Sequence, residues 1–244
     1  MVSDAGADLG TLVGGMDSAA YGINDSGQVV GYAVTNGGSA FHAFRTAANG
    51  PITPATDLGT LGAGTHSEAF GINDNGQAIG YSTTSGNVIL HAFRTAANGS
   101  ITAASDLGTL GGTNSSAKGI NASGQVVGAS DITGDAAEHA FFSDVLGPMQ
   151  DLNDLIPAAS GWLLQTANGI NDLGEIAGTG MIGSQTHAFL LTPTPEPVGL
   201  SLLGLSSLGL LARRRKRESK ALELKDPHPN PPPETIMHQL PSCG

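Results

Sequence analysis

The stretch GINDSGQVVGY, residues 22–32, places apolar alternation on either side of an Asn-Asp-Ser-Gly step. Asp and Asn favour a turn and Gly27 is free to take positive φ, so the segment reads as two short strands joined by a tight hairpin. The signal returns three more times. Its opening glycine falls at Gly22, Gly71, Gly119 and Gly169, at spacings of 49, 48 and 50. A second marker, HAF, begins at His42, His91, His139 and His187, spaced by 49, 48 and 48. A third, DLGTL, begins at Asp8, Asp57 and Asp106, with a degraded DLNDL at Asp151. Three independent markers that hold one period define a fourfold repeat.

Each repeat offers four strand candidates, exemplified by residues 19–24, 28–34, 40–46 and 57–61. No segment of the body keeps apolar residues at helical spacing over three turns. The prediction is an all-β fold over residues 1–191, a propeller-like array of four repeats of about 48 residues and four strands each. A glycine also recurs inside the second strand, at Gly31, Gly80, Gly128 and Gly178. A glycine kept within a strand marks close backbone approach, here expected near a propeller axis. The array begins at a fourth strand, Asp8, and its last copy leaves after a third, His187. Pairing of those two ends would close a ring and remove both exposed edges.

Composition agrees with many short strands and turns. The 244 residues include 36 glycines, about twice the usual share. Residues 1–193 carry 16 acids and 3 bases, Arg45, Arg94 and Lys118, for a net −13. An acidic body argues against nucleic acid as a partner, because phosphate contacts need clustered Lys and Arg. The single cysteine, Cys243, permits no internal disulfide.

The recurrent polar residues have competing readings. Fourfold symmetry could gather His42, His91, His139 and His187 into a metal-binding ring. The simpler expectation is that each histidine holds neighbouring strand or turn backbone while its ring packs. The NDSG and NDNG turns resemble calcium loops in composition, but each offers one or two carboxylates where calcium takes six to eight oxygens. Hairpin chemistry explains them without an ion, and the third copy has Ala122 in place of the acid. No nucleophile elbow, HExxH, phosphate-cradling glycine loop or CxxC pair occurs in the body. No catalytic, cofactor or metal residue is therefore assigned. The stretch that breaks the symmetry is IPAASGWLLQT, residues 156–166, with the sole tryptophan, Trp162.

Taken together, the DLGTLGG, GIND, GQVVGY and HAFR elements resemble the HAF-repeat family of bacterial extracellular repeat proteins, over residues 8–191. That resemblance implies a noncatalytic surface or secreted protein, with exopolysaccharide or another glycan as the expected ligand. A membrane-tethered envelope enzyme on a propeller scaffold and a fragment of a longer repeat protein are the competing readings.

Beyond a Pro-rich linker at 192–197, the chain changes character. An apolar run at 198–212 is followed by Arg213, Arg214, Arg215, Lys216 and Arg217. As a helix the run spans roughly 22 Å, short against a hydrocarbon core of roughly 30 Å, and the basic cluster would stay on the cytoplasmic side. With Pro195, Glu196 and Pro197 in front, residues 198–217 resemble the PEP-CTERM sorting signal. The resemblance implies recognition by an exosortase-type membrane protease, transient or permanent membrane anchoring, and localisation to the envelope or outside. Residues 218–244 are proline-rich and expected to be disordered. The opening MVSDAGADLG has neither a basic n-region nor an apolar h-region, so no signal peptide is read at this start, and a missing upstream segment is expected.

Overall fold

The computed structural model describes residues 6–35, 37–84 and 88–194. The described residues up to Pro193 belong to one compact unit, and a second division of the chain begins at Thr194. The sorting residues from Pro195 to Arg217 and the proline-rich stretch after them lie outside the described residues. Among the described residues there is no α-helix, and no helix is long and apolar enough to cross a membrane.

The first unit is all-β, with four small antiparallel sheets, one for each sequence repeat. The first sheet holds β1 (Ser18–Ile23), β2 (Val29–Val34), β3 (Phe41–Arg45) and β4 (Asp57–Gly59). The second holds β5 (Ser67–Ile72), β6 (Ala78–Thr83) and β7 (Leu90–Arg94). The third holds β8 (Gly111–Ile120), β9 (Val126–Ile132), β10 (Glu138–Ser143) and β11 (Met149–Asp151). The fourth holds β12 (Trp162–Ile170), β13 (Ile176–Ile182) and β14 (Gln185–Leu191). Within each sheet the strands pair in chain order.

The hairpin that begins each sheet forms for the reason the sequence suggests. Gly27, Gly76, Gly124 and Gly174 stand at φ of +75°, +72°, +85° and +78°, where a side chain would be strained. In the first copy the Gly27 amide donates to the Asn24 carbonyl at 2.9 Å, and Asn24 Oδ1 accepts the Gln28 amide at 3.0 Å. On the first strand, register slips between Ala20 and Gly22, and likewise at Ala69/Gly71, Ala117/Gly119 and Ala167/Gly169. This bulge drives a carbonyl into the second strand. A Cβ on Gly31 or Gly80 would sit 1.8 Å from the Ala19 or Glu68 oxygen, and on Gly128 or Gly178 2.1 Å from that of Ser116 or Thr166. Close backbone approach is thus the reason for the strand glycine, but the neighbour is the adjacent strand of the same sheet and not another blade near an axis.

The core lies between the sheets. Val30 and Ala43 of the first sheet meet Ala69, Ala78 and Phe93 of the second. Ile79 and Ala92 meet Ala117, Val126 and Phe141 at the next junction. Val127 and Ala140 meet Leu164, Ala167, Ile176 and Phe189 at the last. Burying each large side chain contributes roughly 1.5–3 kcal/mol, so these three layers are what join the sheets. Sustained packing runs from first to second, second to third and third to fourth.

Each DLGTL segment belongs to two repeats. Asp57 and Gly59 pair with Phe44 and Ala43 of the first sheet, while Leu58 and Leu61 pack with Phe93 and Ile101 of the second repeat. The segment at Asp8 keeps only the second half of this arrangement. Leu9 and Leu12 pack on Ala33 and Phe44 of the first sheet and on Ile52 of the loop before β4. It does not pair with β14, so the expected closed ring is not formed and the array is open. Nor do all repeats have four strands. In the second the fourth strand shrinks to a bridge between Phe93 and Asp106, and among the described residues the fourth sheet has three strands.

Candidate functional site

The histidines are spread along the array, one per sheet, and do not form a ring. His42 Nδ1 meets the Asp57 carboxylate at 3.0 Å and His91 Nδ1 meets that of Asp106 at 2.9 Å. His139 pairs in the same way with Asp151. The expectation that each would hold backbone is corrected: for these three the partner is the aspartate that opens the following DLGTL or DLNDL segment, and each pair ties that segment to its HAF strand. Burial pushes the Asp57 carboxyl up, but the hydrogen bonds from His42 and the Gly59 amide and the histidine charge outweigh it and hold the group below its ordinary range. His187 has no such carboxylate and stands beside Gln185 and Trp162. Among the described residues, no three His, Cys, Asp or Glu side chains come together.

The GIND asparagines form a ladder through the array. Asn24 Nδ2 donates to the Asn73 carbonyl at 3.1 Å, Asn73 to Asn121 at 3.0 Å, and Asn121 to Asn171 at 3.1 Å. Two of the aspartates beside them are also engaged: Asp74 Oδ1 accepts the Asp25 amide and Asp172 Oδ1 the Ala122 amide. Across the middle junction, where Ala122 offers no carboxylate, Asn75 Nδ2 donates to the Ala122 carbonyl at 2.9 Å. The Asp74 and Asp172 carboxylates thus each hold the backbone of the preceding repeat. Arg45 adds a further tie, donating to the Gly76 and Gly99 carbonyls, and Arg94 does the same to Gly124, Asp144 and Val145.

Most repeated polar groups are thus committed to structure, whereas the bulge row presents side chains that differ from copy to copy. The bulged residue is Tyr21, Phe70, Lys118 and Asn168 in the four copies. A bulge re-aims its side chain, here toward solvent: Tyr21 is 49% exposed, and Lys118 and Asn168 are exposed. Tyr21 lies 5.6 Å from Phe70 and 6.0 Å from Tyr32 of β2, between ring centroids. Phe70 lies 5.6 Å from Tyr81 of β6, and Tyr32 lies 5.4 Å from Phe41 of β3. The Lys118 ammonium caps Phe70 at 4.6 Å from its centroid. Burial, then a hydrogen bond and negative charge from Glu68, push the Tyr81 hydroxyl well above its usual range. The result is a strip of five rings across the first two sheets, edged by one carboxylate and one ammonium. In the third and fourth copies the strip turns polar.

Sequence reasoning did not single out these residues. The signal available was positional: the residue before each opening glycine is Tyr, Phe, Lys and Asn, so it varies where its neighbours repeat. The stretch around Trp162 resolves differently, since the indole packs edge-on to Phe189 at 6.4 Å and joins the core between the third and fourth sheets. A cleft of ≈ 710 Å³ opens beside His139, Asp151, Asp154 and Thr133. Its His–Asp pair is the one that recurs in the first and second repeats as a strand tie.

No curated protein and no solved structure matches the chain. A family model does match, over residues 62–190, from the end of the second DLGTL through most of β14. That span is more than half of the 244 residues, and the chain belongs to the family described as Protein of unknown function (DUF3466).

Proposed function

We propose that this protein is a noncatalytic, exported repeat protein that binds a glycan through the aromatic strip of its first two sheets. The strip is the observation that carries the reading. Sugar rings present apolar C–H faces edged by hydroxyls, and partly exposed aromatic rings with a polar rim meet both needs. Tyr21, Tyr32, Phe70 and Tyr81 supply the faces, and Glu68, Lys118 and the tyrosine hydroxyls supply acceptors and donors. Because the rings follow one another across two sheets, an extended polysaccharide suits them better than a monosaccharide.

A propeller-like arrangement is the finer reading of the fold, supported by apolar packing between consecutive sheets on a 48–50-residue period. The resemblance to HAF repeats and to a PEP-CTERM signal at 195–217 supports export, handling by an exosortase-type protease, and an envelope or matrix location. The enzyme reading draws no support from the cleft at His139, for the reason given above.

Affinity electrophoresis of the full chain in gels containing xylan, dextran or mixed-linkage β-glucan tests the binding. At least one polymer is expected to retard the protein, and a Tyr21→Ala, Phe70→Ala double variant to weaken that binding by roughly tenfold or more. No retardation by any polysaccharide, or retardation untouched by the double variant, sinks the assignment. In native envelope fractions, an intact mass ending near Pro195–Pro197 is the result that processing predicts.

A further inference from the structure

We infer that the two ends of the array are complementary halves of one interface, and that the protein associates head to tail with a second copy of itself. The inference rests on what the interior junctions are made of. At the first junction His42 meets Asp57, the Ala43 amide donates to Ser67 Oγ at 2.8 Å, and Ser67 Oγ donates to the Gly59 carbonyl at 2.6 Å. At the second, His91, Asp106, Ala92, Ser115 and Gly108 repeat the same set.

The N-terminal face holds one half of this set, already in position. Asp8 Oδ1 accepts the Gly10 amide at 2.9 Å, as Asp57 Oδ1 accepts that of Gly59 at 2.7 Å. Ser18 Oγ donates to the Gly10 carbonyl at 2.8 Å, as Ser67 does to Gly59, and Gly10 shares the positive φ of Gly59. Ser18 and Ala20 are exposed, whereas Ser67 and Ala69 are fully buried. Ile23 is 68% exposed, while its counterpart Ile72 packs against the first junction.

The C-terminal face holds the other half. β14 is an edge strand, and its His187 and Ala188 are exposed where Ala43, Ala92 and Ala140 are fully buried. Leu190 is 65% exposed in the place of Arg45 and Arg94. Docking the face at Asp8 and Ser18 onto β14 of a second copy would give His187 its carboxylate and the Ala188 amide its acceptor. It would add a fourth strand to the last sheet and cover apolar surface on both sides. Such an interface is heterologous, so each added copy renews the free face, and the product is a filament or a ring of copies.

Sedimentation of the full chain over a concentration series tests this, with two blocked variants. Ala20→Glu buries a charge in one face and Ala188→Glu in the other, and both positions are exposed in the single chain, so both variants keep the wild-type melting curve. Wild type is expected to grow in mass with concentration, while each variant alone associates at least about tenfold more weakly. A mixture of the two variants retains one intact face of each kind, and is expected to give dimers and nothing larger. A wild type that stays monomeric at all concentrations overturns the proposal. In that case an intramolecular disulfide in an Asp8→Cys, His187→Cys variant would assign the two faces to closure of one chain. Association that persists in either blocked variant, or a mixture that behaves like its parts, overturns it equally.

Discussion

The second and fourth sheets are written in nearly the same motif, yet they live in different surroundings. In the second, Ala92 and Phe93 are fully buried and His91 has its aspartate. In the fourth, Ala188 and His187 stand exposed on an edge strand. The opening glycines show the same contrast. A Cβ on Gly119 would lie 2.9 Å from Gly169 Cα of the next sheet, whereas one on Gly169 would meet nothing within 4 Å. The difference separates two uses of one motif. Some of its residues make each sheet, and others exist only to join a sheet to its successor.

Three substitution series can break or sharpen that distinction. The strand glycines belong to the sheet itself, so position along the array should not matter. Gly80→Ala and Gly178→Ala are both expected to lose about 3 kcal/mol or more in urea unfolding, since each places a Cβ inside a neighbouring carbonyl. A mild effect at either site would show that the bulge can relax. The ladder asparagines belong to the junctions. Asn73→Ala removes bonds to Gln77 and Asn121 from a buried site and should cost about 2–4 kcal/mol. Asn171→Ala, at an exposed site whose side chain reaches only local partners, should cost less than about 1 kcal/mol. Equal losses would erase the distinction.

The smallest effect concerns pH. Because the folded Asp57 carboxyl titrates below its unfolded value, its contribution is present above the unfolded pKa and is lost as pH falls through the lower, folded one. Melting temperature followed downward from pH 5 should therefore drop more steeply in the wild type than in Asp57→Asn. At neutral pH the variant should be less stable by about 1 kcal/mol or less, the pair being part-exposed. His187→Gln, which has no partner carboxylate to lose, should leave neutral-pH stability unchanged.

Much of the fold was legible because period-2 alternation and turn chemistry act locally. Strand positions and the positive φ of Gly27 follow from residues within a few positions of one another, and the fourfold count from the recurrence of those local motifs. The roles of His42, Asn24 and Arg45 were not legible, because their partners lie in a neighbouring strand or repeat and sequence spacing does not say which atoms face each other. Closure failed as an expectation for a related reason: complementary ends fix what can pair, while local spacing does not fix whether they meet. The aromatic strip was hidden by a bulge, since a slip of one residue aims Tyr21 and Phe70 where strict alternation does not.

The asparagine ladder has a consequence for how such proteins change in length. Every rung runs from one repeat to the next at an offset of 48 to 50 residues, and no rung skips a repeat. Duplicating or deleting one whole unit would therefore break and remake the same bonds, leaving no donor orphaned in the interior. Stability then grows by nearest-neighbour increments. A gene for this architecture can gain or lose repeats by recombination between its own copies, and the encoded chain still folds.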